Sequence, residues 1–211
     1  MTTEESAPTA PAVMSRLGLG CWPLSGMTRH GITRDDAVAT VAAAIDAGIN
    51  HLDTAYCYGE QGESERAICS AMKGRRRETV FLASKCGIHW EAGRQQTVDG
   101  SPQRLVREVE ESLRRLGTDH LDLLYLHAPD PAIPVEESAS ALAKLLDAGK
   151  TRSVGCSNVT LEQLQLFASV CPTSACQMPY NMLQRSLEER FLPWCQEQSI
   201  GLVSSWPLMK G

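Results

Sequence analysis

Leu121-Asp-Leu-Leu-Tyr-Leu126 is short and almost wholly apolar, which is how a strand reads when both faces of its sheet are covered. His127 stands one residue beyond it. Two more β-like segments, residues 49–53 and 79–84, precede the same kind of polar side chain. Asp53 and Tyr58 lie at and after the first, and Lys85 follows the second. Helix-like stretches separate these segments. In a parallel barrel the C-terminal strand ends converge on one face, where such folds collect their catalytic residues.

The alternation extends in both directions from this stretch. Residues 17–20 form a short strand candidate. Thr33 followed by Asp36 has the form of a capping box with Asp in place of Glu. Ala37, Val41, Ala44 and Ile45 then recur at helical spacing, and Gly48 sits where that helix should stop. A helix over residues 63–73 leads to the 79–84 strand. Residues 87–100 read as a polar loop, long for a βα connection. Ser101-Pro102 marks a helix start, Leu105, Val109, Leu113 and Leu116 make its apolar stripe, and Gly117 ends it. Beyond His127 come helix 135–148, strand 152–155, helix 161–170, strand 175–177, a helix around 187–198 and strand 201–205. Seven β segments separated by helices imply a parallel sheet and suit an α/β, (β/α)8 TIM-type barrel lacking its last βα unit. A Rossmann domain is the rival, but no G-x-G-x-x-G follows the first strand.

With 211 residues, 43% of them hydrophobic, the chain can bury one substantial core. We expect a disordered tail over residues 1–14 and one barrel domain over 15–211, incomplete at its C-terminus. A net charge of −5 and a pI of about 5.6 give no basic footprint for nucleic acid, and no apolar run approaches the ~20 residues that span a bilayer. Residues 1–12 are small, polar and acidic, unlike a secretory signal. The eight cysteines (21, 57, 69, 86, 156, 171, 176 and 195) include no C-x-x-C pair. They read as reduced, mostly buried thiols of a cytoplasmic protein. A barrel short of a strand leaves two open edges, so self-association through them is expected.

Taken singly, Tyr58, Lys85 and His127 have structural readings: a capped core, a solvated strand end, and a ring bonded to a backbone carbonyl. At three consecutive strand ends they read together as a proton-donating site. A free phenol has a pKa of about 10. A nearby ammonium lowers it, and a carboxylate such as Asp53 holds that ammonium in place. Histidine can donate a hydrogen bond to a carbonyl oxygen. The set suits protonation of an oxygen that gains charge as its carbon accepts hydride. A metal site built from Cys21, Cys57, Cys86, His127 and Cys156 is the rival, but no close ligand spacing supports it. No metal is expected.

The chain resembles the aldo-keto reductase family from about residue 16 onward. The resemblance rests on Leu17-Gly-Leu-Gly-Cys-Trp22, Asp53-Thr-Ala-Tyr-Cys-Tyr58-Gly59, Ser64-Glu65 and Ala83-Ser-Lys85. It continues through Glu111-Ser-Leu-Arg-Arg-Leu-Gly-Thr-Asp-His-Leu-Asp122, Leu126-His-Ala-Pro-Asp130, Gly149-Lys150 and Val154-Gly-Cys-Ser-Asn158. Gln177 with Tyr180-Asn181, and Trp206-Pro-Leu208, complete it. It implies reduction of an aldehyde or ketone with NADPH (or NADH), a small-molecule carbonyl substrate and no metal. Tyr58 would be the general acid, tuned by Lys85 and Asp53, with His127 orienting the substrate. The implied cofactor set is Gly20, Trp22, Asp53, Ser157, Asn158, Gln177, Ser205, Trp206 and Leu208. Ser157 and Asn158 would hold the nicotinamide carboxamide with Gln177 beside them, and Trp22 would also line the substrate mouth. Ser157-Asn158 reads equally as an N-cap before the 161–170 helix. Ser205 takes the place where an aromatic residue usually stacks on the nicotinamide, and the family's adenosine contacts lie beyond the seventh strand. The alternative reading is therefore a barrel fragment or regulatory relative with weak activity or none.

Overall fold

The computed structural model describes residues 13–27 and 31–209. Most of the expected N-terminal tail lies outside these residues. The carbonyl of Val13, at the tail's end, accepts a hydrogen bond from Asn50. Seven parallel strands lie side by side in chain order: β1 (Gly18–Gly20), β2 (His51–Asp53), β3 (Phe81–Cys86), β6 (Leu123–Leu126), β7 (Val154–Ser157), β8 (Ala175–Pro179) and β9 (Gly201–Ser205). The connecting helices are α1 (Arg34–Asp46), α2 (Glu63–Ala71), α3 (Pro102–Leu116), α4 (Val135–Asp147), α5 (Leu161–Val170) and α6 (Phe191–Glu197). Between β3 and α3 an antiparallel hairpin of β4 (Ile88–Glu91) and β5 (Gln95–Val98) stands apart from the main sheet.

The sheet is curled. β2 and β8 are four strand spacings apart, about 19 Å across a flat sheet, yet Gln177 on β8 donates to Asp53 on β2 at 2.7 Å. This is the strand order and curvature of a (β/α)8-type barrel carried through seven strands. Among the described residues β1 and β9 have no strand on their outer edges.

Alternation along β6 explains its unbroken hydrophobicity. Leu124 and Leu126 join the layer between sheet and helices, with Leu52, Leu82, Val154 and Phe167. Leu123 and Tyr125 face the concave side with Ala83 and Ala175. Tyr125 fills that interior only because its neighbour is a glycine. A Cβ on Gly155 would lie 2.8 Å from the Tyr125 ring and 2.3 Å from the Ala175 carbonyl oxygen. Seven of the eight cysteines are buried and Cys69 is half-buried; all are free thiols.

The end signals act locally. Both capping-box bonds of Thr33 and Asp36 form, at 3.1 and 3.0 Å. Gly48, at φ +88°, lets its own N–H reach Ile45 and that of Ile49 reach Ala44, which closes α1. The strand expected over 152–155 lies instead at Val154–Ser157, those expected over 49–53 and 121–126 start two residues later, and three further segments differ from the sequence reading. Thr79, expected to start the 79–84 strand, instead ends a tight turn over residues 77–79, because the Arg77 guanidinium is drawn to Asp122 and the Val80 carbonyl, and β3 begins at Phe81. The expected 87–100 loop contains the β4–β5 hairpin, turned by Gly93 and Arg94 in the left-handed region. The 187–198 helix is split, and α6 begins only at Phe191. Pro193 has no N–H for a preceding helical turn, whereas in the first turn of α6 none is required.

At the N-terminal end of β6, Asp122 is a buried hub. Its oxygens accept from the Leu82 N–H at 2.8 Å, Arg77 at 2.8 Å and Arg152 at 3.1 Å. Among the described residues no helix is long and apolar enough to cross a membrane.

Candidate active site

The opposite ends of the strands bring the expected residues together. Asp53 closes β2, Lys85 is the penultimate residue of β3, and His127 follows β6. The chain after β2 turns back over β3, with the Tyr56 N–H on the Lys85 carbonyl and the Tyr58 N–H on the Ala55 carbonyl. That turn delivers Tyr58 to Lys85. The Lys85 ammonium, 1% exposed, donates to Asp53 at 2.5 Å, to the Thr54 carbonyl at 2.9 Å and to the Tyr58 hydroxyl at 3.3 Å. The other Asp53 oxygen accepts from Gln177. Tyr58 meets Trp22 edge-on at 5.0 Å between centroids and His127 at 5.8 Å. The His127 backbone is pinned from both sides: its N–H donates to the Cys86 carbonyl and its carbonyl accepts from Asn158.

Protonation states follow from burial and charge. Burial lifts the Tyr58 phenol above its ordinary pKa, and the Lys85 ammonium only partly offsets this. The sequence reading gave the lysine the upper hand; desolvation of the phenolate is the larger effect here. Burial also works against the Lys85 ammonium, but Asp53 and Tyr58 outweigh it and hold Lys85 above its usual range. Burial, then Lys85, pushes His127 down to about 3. Near neutral pH the cluster therefore holds a protonated phenol, a charged lysine and an uncharged imidazole.

The expected cofactor residues divide into two groups. Ser157 is buried at the end of β7, and the Asn158 amide nitrogen reaches both the His127 carbonyl and Ser157 Oγ. Neither caps α5. Thr160 takes that position in a capping box with Gln163, so the N-cap reading of Ser157-Asn158 is corrected. Gln177 is committed to Asp53 through its amide nitrogen. The side-chain carbonyls of Asn158 and Gln177 accept no hydrogen bond among the described residues, leaving two acceptors beside Ser157. Gly20 is exposed next to Asp53 in register, with open space where a Cβ would stand. Ser205, by contrast, ends β9 opposite Pro179. Trp206 and Leu208 are exposed, 46% and 83%, and the Trp206 carbonyl is held by Asn181.

Two contributors escaped the sequence reading. Trp90 and Gln96, cross-strand partners on the hairpin, both reach Cys57, one at its carbonyl (2.7 Å) and the other at its sulfur (4.0 Å). Cys57 Sγ in turn lies 3.5 Å from His127 Nδ1. The alternation in His89-Trp90-Glu91 before Ala92-Gly93 was the available hairpin signal. Tyr56, the other phenol nearby, donates instead to Glu111 on α3. Among the described residues no group of three His, Cys, Asp or Glu side chains is placed to hold a metal.

The sequence profile of the Aldo/keto reductase family matches residues 16–211. The chain belongs to that family. The Aldo-keto reductase YhdN of Bacillus subtilis (strain 168) is 39% identical over 198 residues, covering 93% of this chain and 59% of that protein. The glycerol dehydrogenase AKR11B4 from Gluconobacter oxydans superposes with a TM-score of 0.86 at 37% identity, covering 94% of this chain and 61% of that one. An aldo/keto reductase from Klebsiella pneumoniae, solved in complex with NADP and acetate, gives 0.75 at 34% identity, covering 90% and 63%. This aldo/keto reductase chain thus spans less than two thirds of the length of these relatives.

Proposed function

We propose that the protein reduces an aldehyde or ketone to an alcohol, with NADPH or NADH as hydride source and Tyr58 as proton donor. One observation carries the reading: a single buried ammonium, Lys85, touches both the Asp53 carboxylate and the Tyr58 hydroxyl. As a carbonyl oxygen gains negative charge, Tyr58 hands it a proton, and Lys85 steadies the phenolate left behind. Asp53 keeps the lysine charged and aimed. His127 is uncharged, so its task is to donate a hydrogen bond that orients the carbonyl, with no net proton transfer.

The residues present fit a nicotinamide. Its carboxamide offers two N–H donors and one acceptor, and Asn158, Gln177 and the Ser157 hydroxyl supply the complementary groups. The bound cofactor would supply the hydride that the carbonyl carbon accepts. The solved Klebsiella relative holds NADP, which supports the choice of cofactor class. One observation favours a second reading, a barrel relative with weak turnover: Ser205, at the end of β9, offers no aromatic face for a nicotinamide to stack on.

Replacing Tyr58 with Phe removes only the transferable proton. Turnover of a simple aldehyde should fall about 10²–10⁴-fold, with NADPH affinity, followed by tryptophan quenching, nearly unchanged. Retained turnover would move the acid role elsewhere. A parent chain that neither quenches with NADPH nor turns over would favour the second reading.

A further inference from the structure

We infer that Cys57 is a positioning residue: its thiol donates to His127 Nδ1 and thereby places the imidazole proton on Nε2, the nitrogen left to face a substrate oxygen. The inference rests on the carbonyl-reduction reading for its consequence, but not for its test.

The contact admits two arrangements. Either the S–H donates to a bare Nδ1, or an Nδ1–H donates to sulfur; only the first leaves a proton on Nε2. Three observations select it. Burial pushes the Cys57 thiol up to about 12 and His127 down to about 3, so the thiol keeps its hydrogen and the ring has one proton to place. A thiol sulfur is a weak acceptor, whereas the bare nitrogen of a neutral imidazole is a stronger one. The acceptor side of this sulfur already faces the Gln96 amide at 4.0 Å. Nε2 has no partner among the described residues, so nothing on the other side of the ring competes for the choice.

The placement of Cys57 is itself fixed. Trp90 donates to its carbonyl at 2.7 Å, and its side chain packs with Ala55 and Ile88, with Tyr58, Trp90 and Val98 around them. The hairpin thus reaches the imidazole through one thiol. The sulfur never meets substrate in this account. It decides whether His127 can donate at all, because the opposite tautomer would present a lone pair to the carbonyl oxygen and repel it.

Nitrogen-15 NMR of the imidazole tests this without any turnover, the His127 signals being assigned by their loss in His127→Asn. The full chain should show His127 neutral with the proton on Nε2. Cys57→Val, similar in bulk and without a donor, should shift the tautomer ratio toward Nδ1–H by about five-fold, the value of one net hydrogen bond. Cys57→Ser should restore the Nε2–H form, since a hydroxyl can donate in the same way. An Nδ1–H tautomer in the unaltered chain overturns the inference and needs no variant to show it. An unchanged ratio in a Cys57→Val protein that melts cooperatively overturns it as well. If the tautomer responds as stated while the unaltered chain neither quenches with NADPH nor turns over an aldehyde, the carbonyl-reduction reading fails and the Cys57 assignment stands.

Discussion

β6 carries a charged or polar residue at each end, and the two ends are built on opposite principles. At the N-terminal end, Asp122 is saturated: two arginines and a backbone N–H satisfy its oxygens, and Arg77 leads on only to the Thr118 hydroxyl and the Val80 and His120 carbonyls. At the C-terminal end His127 joins the face where Asp53 of β2 is equally well partnered, by Lys85 of β3 and Gln177 of β8, but there Lys85 passes its influence on to the Tyr58 hydroxyl. The first network ends in closed hydrogen bonds. The second ends at a phenol hydroxyl, the group proposed above as the proton donor. Burial of a carboxylate therefore does not mark a reactive site; what marks it is a chain of bonds that stops at a group able to change state.

Lys85→Met should give the largest separation between the two ends. Removing one partner of a buried pair costs about 3–5 kcal/mol, here by leaving the Asp53 carboxyl group without its ammonium partner. Carbonyl reduction should fall at least about 100-fold as well. Denaturant melts and aldehyde turnover measured on the same sample read both losses. A stable, active Lys85→Met protein would erase the distinction drawn here.

Asp122→Ala should cost about 3 kcal/mol by leaving the Leu82 N–H without its acceptor and Arg77 without its carboxylate, while turnover per folded molecule stays at the parent level. A fall in turnover with little change in melting would mean that the two ends of the strand are coupled.

The smallest effect concerns Glu108 on α3, which holds the Gly87 N–H and Arg104 beneath the hairpin. Burial raises its pKa to about 7, above that of an unfolded glutamate. The folded state therefore holds the proton more tightly. The resulting stability is complete below the unfolded value of about 4.5 and is lost as pH rises through about 7. Glu108→Gln removes this titration. The Tm of the variant relative to the parent should climb by roughly a few degrees between about pH 4.5 and 7. His127 works in the reverse sense, losing stability as pH falls from about 6.5 toward 3, but it does so in both proteins and cancels in the difference. A pH-independent gap would place the relevant carboxyl elsewhere.

The parts of the molecule legible in the sequence were those governed by local rules. Thr33 with Asp36, Gly48, Gly117 and the apolar runs each act on their own neighbours, and α5 and β9 begin and end where periodicity places them. The meeting of Asp53, Lys85 and Tyr58 was legible because strand ends of a barrel share a face. The rest depends on contacts between distant segments. Arg77 draws residues 77–79 into a turn, and Thr79 out of the expected strand, only once Asp122 is in reach. Whether burial or Lys85 governs the Tyr58 phenol depends on how much protein surrounds it. Cys57 carries no sequence signal for its role, because the hairpin that holds it and the histidine it touches lie far along the chain.

The spatial order of the seven strands is also their order along the chain, and this has a consequence for how the molecule is made. Each newly formed strand finds its neighbour already present, so at no point must the growing sheet wait for a later segment to insert between two earlier ones. Contacts of that kind carry a small loop-closure penalty and favour assembly from the N-terminus during synthesis. The Asp53–Lys85 pair can form once the first three strands are in place. Gln177, 124 residues beyond Asp53, arrives much later. The end that holds the Asp53–Lys85–Tyr58 cluster is thus begun early on the ribosome and completed only when the eighth strand in sequence docks across the mouth.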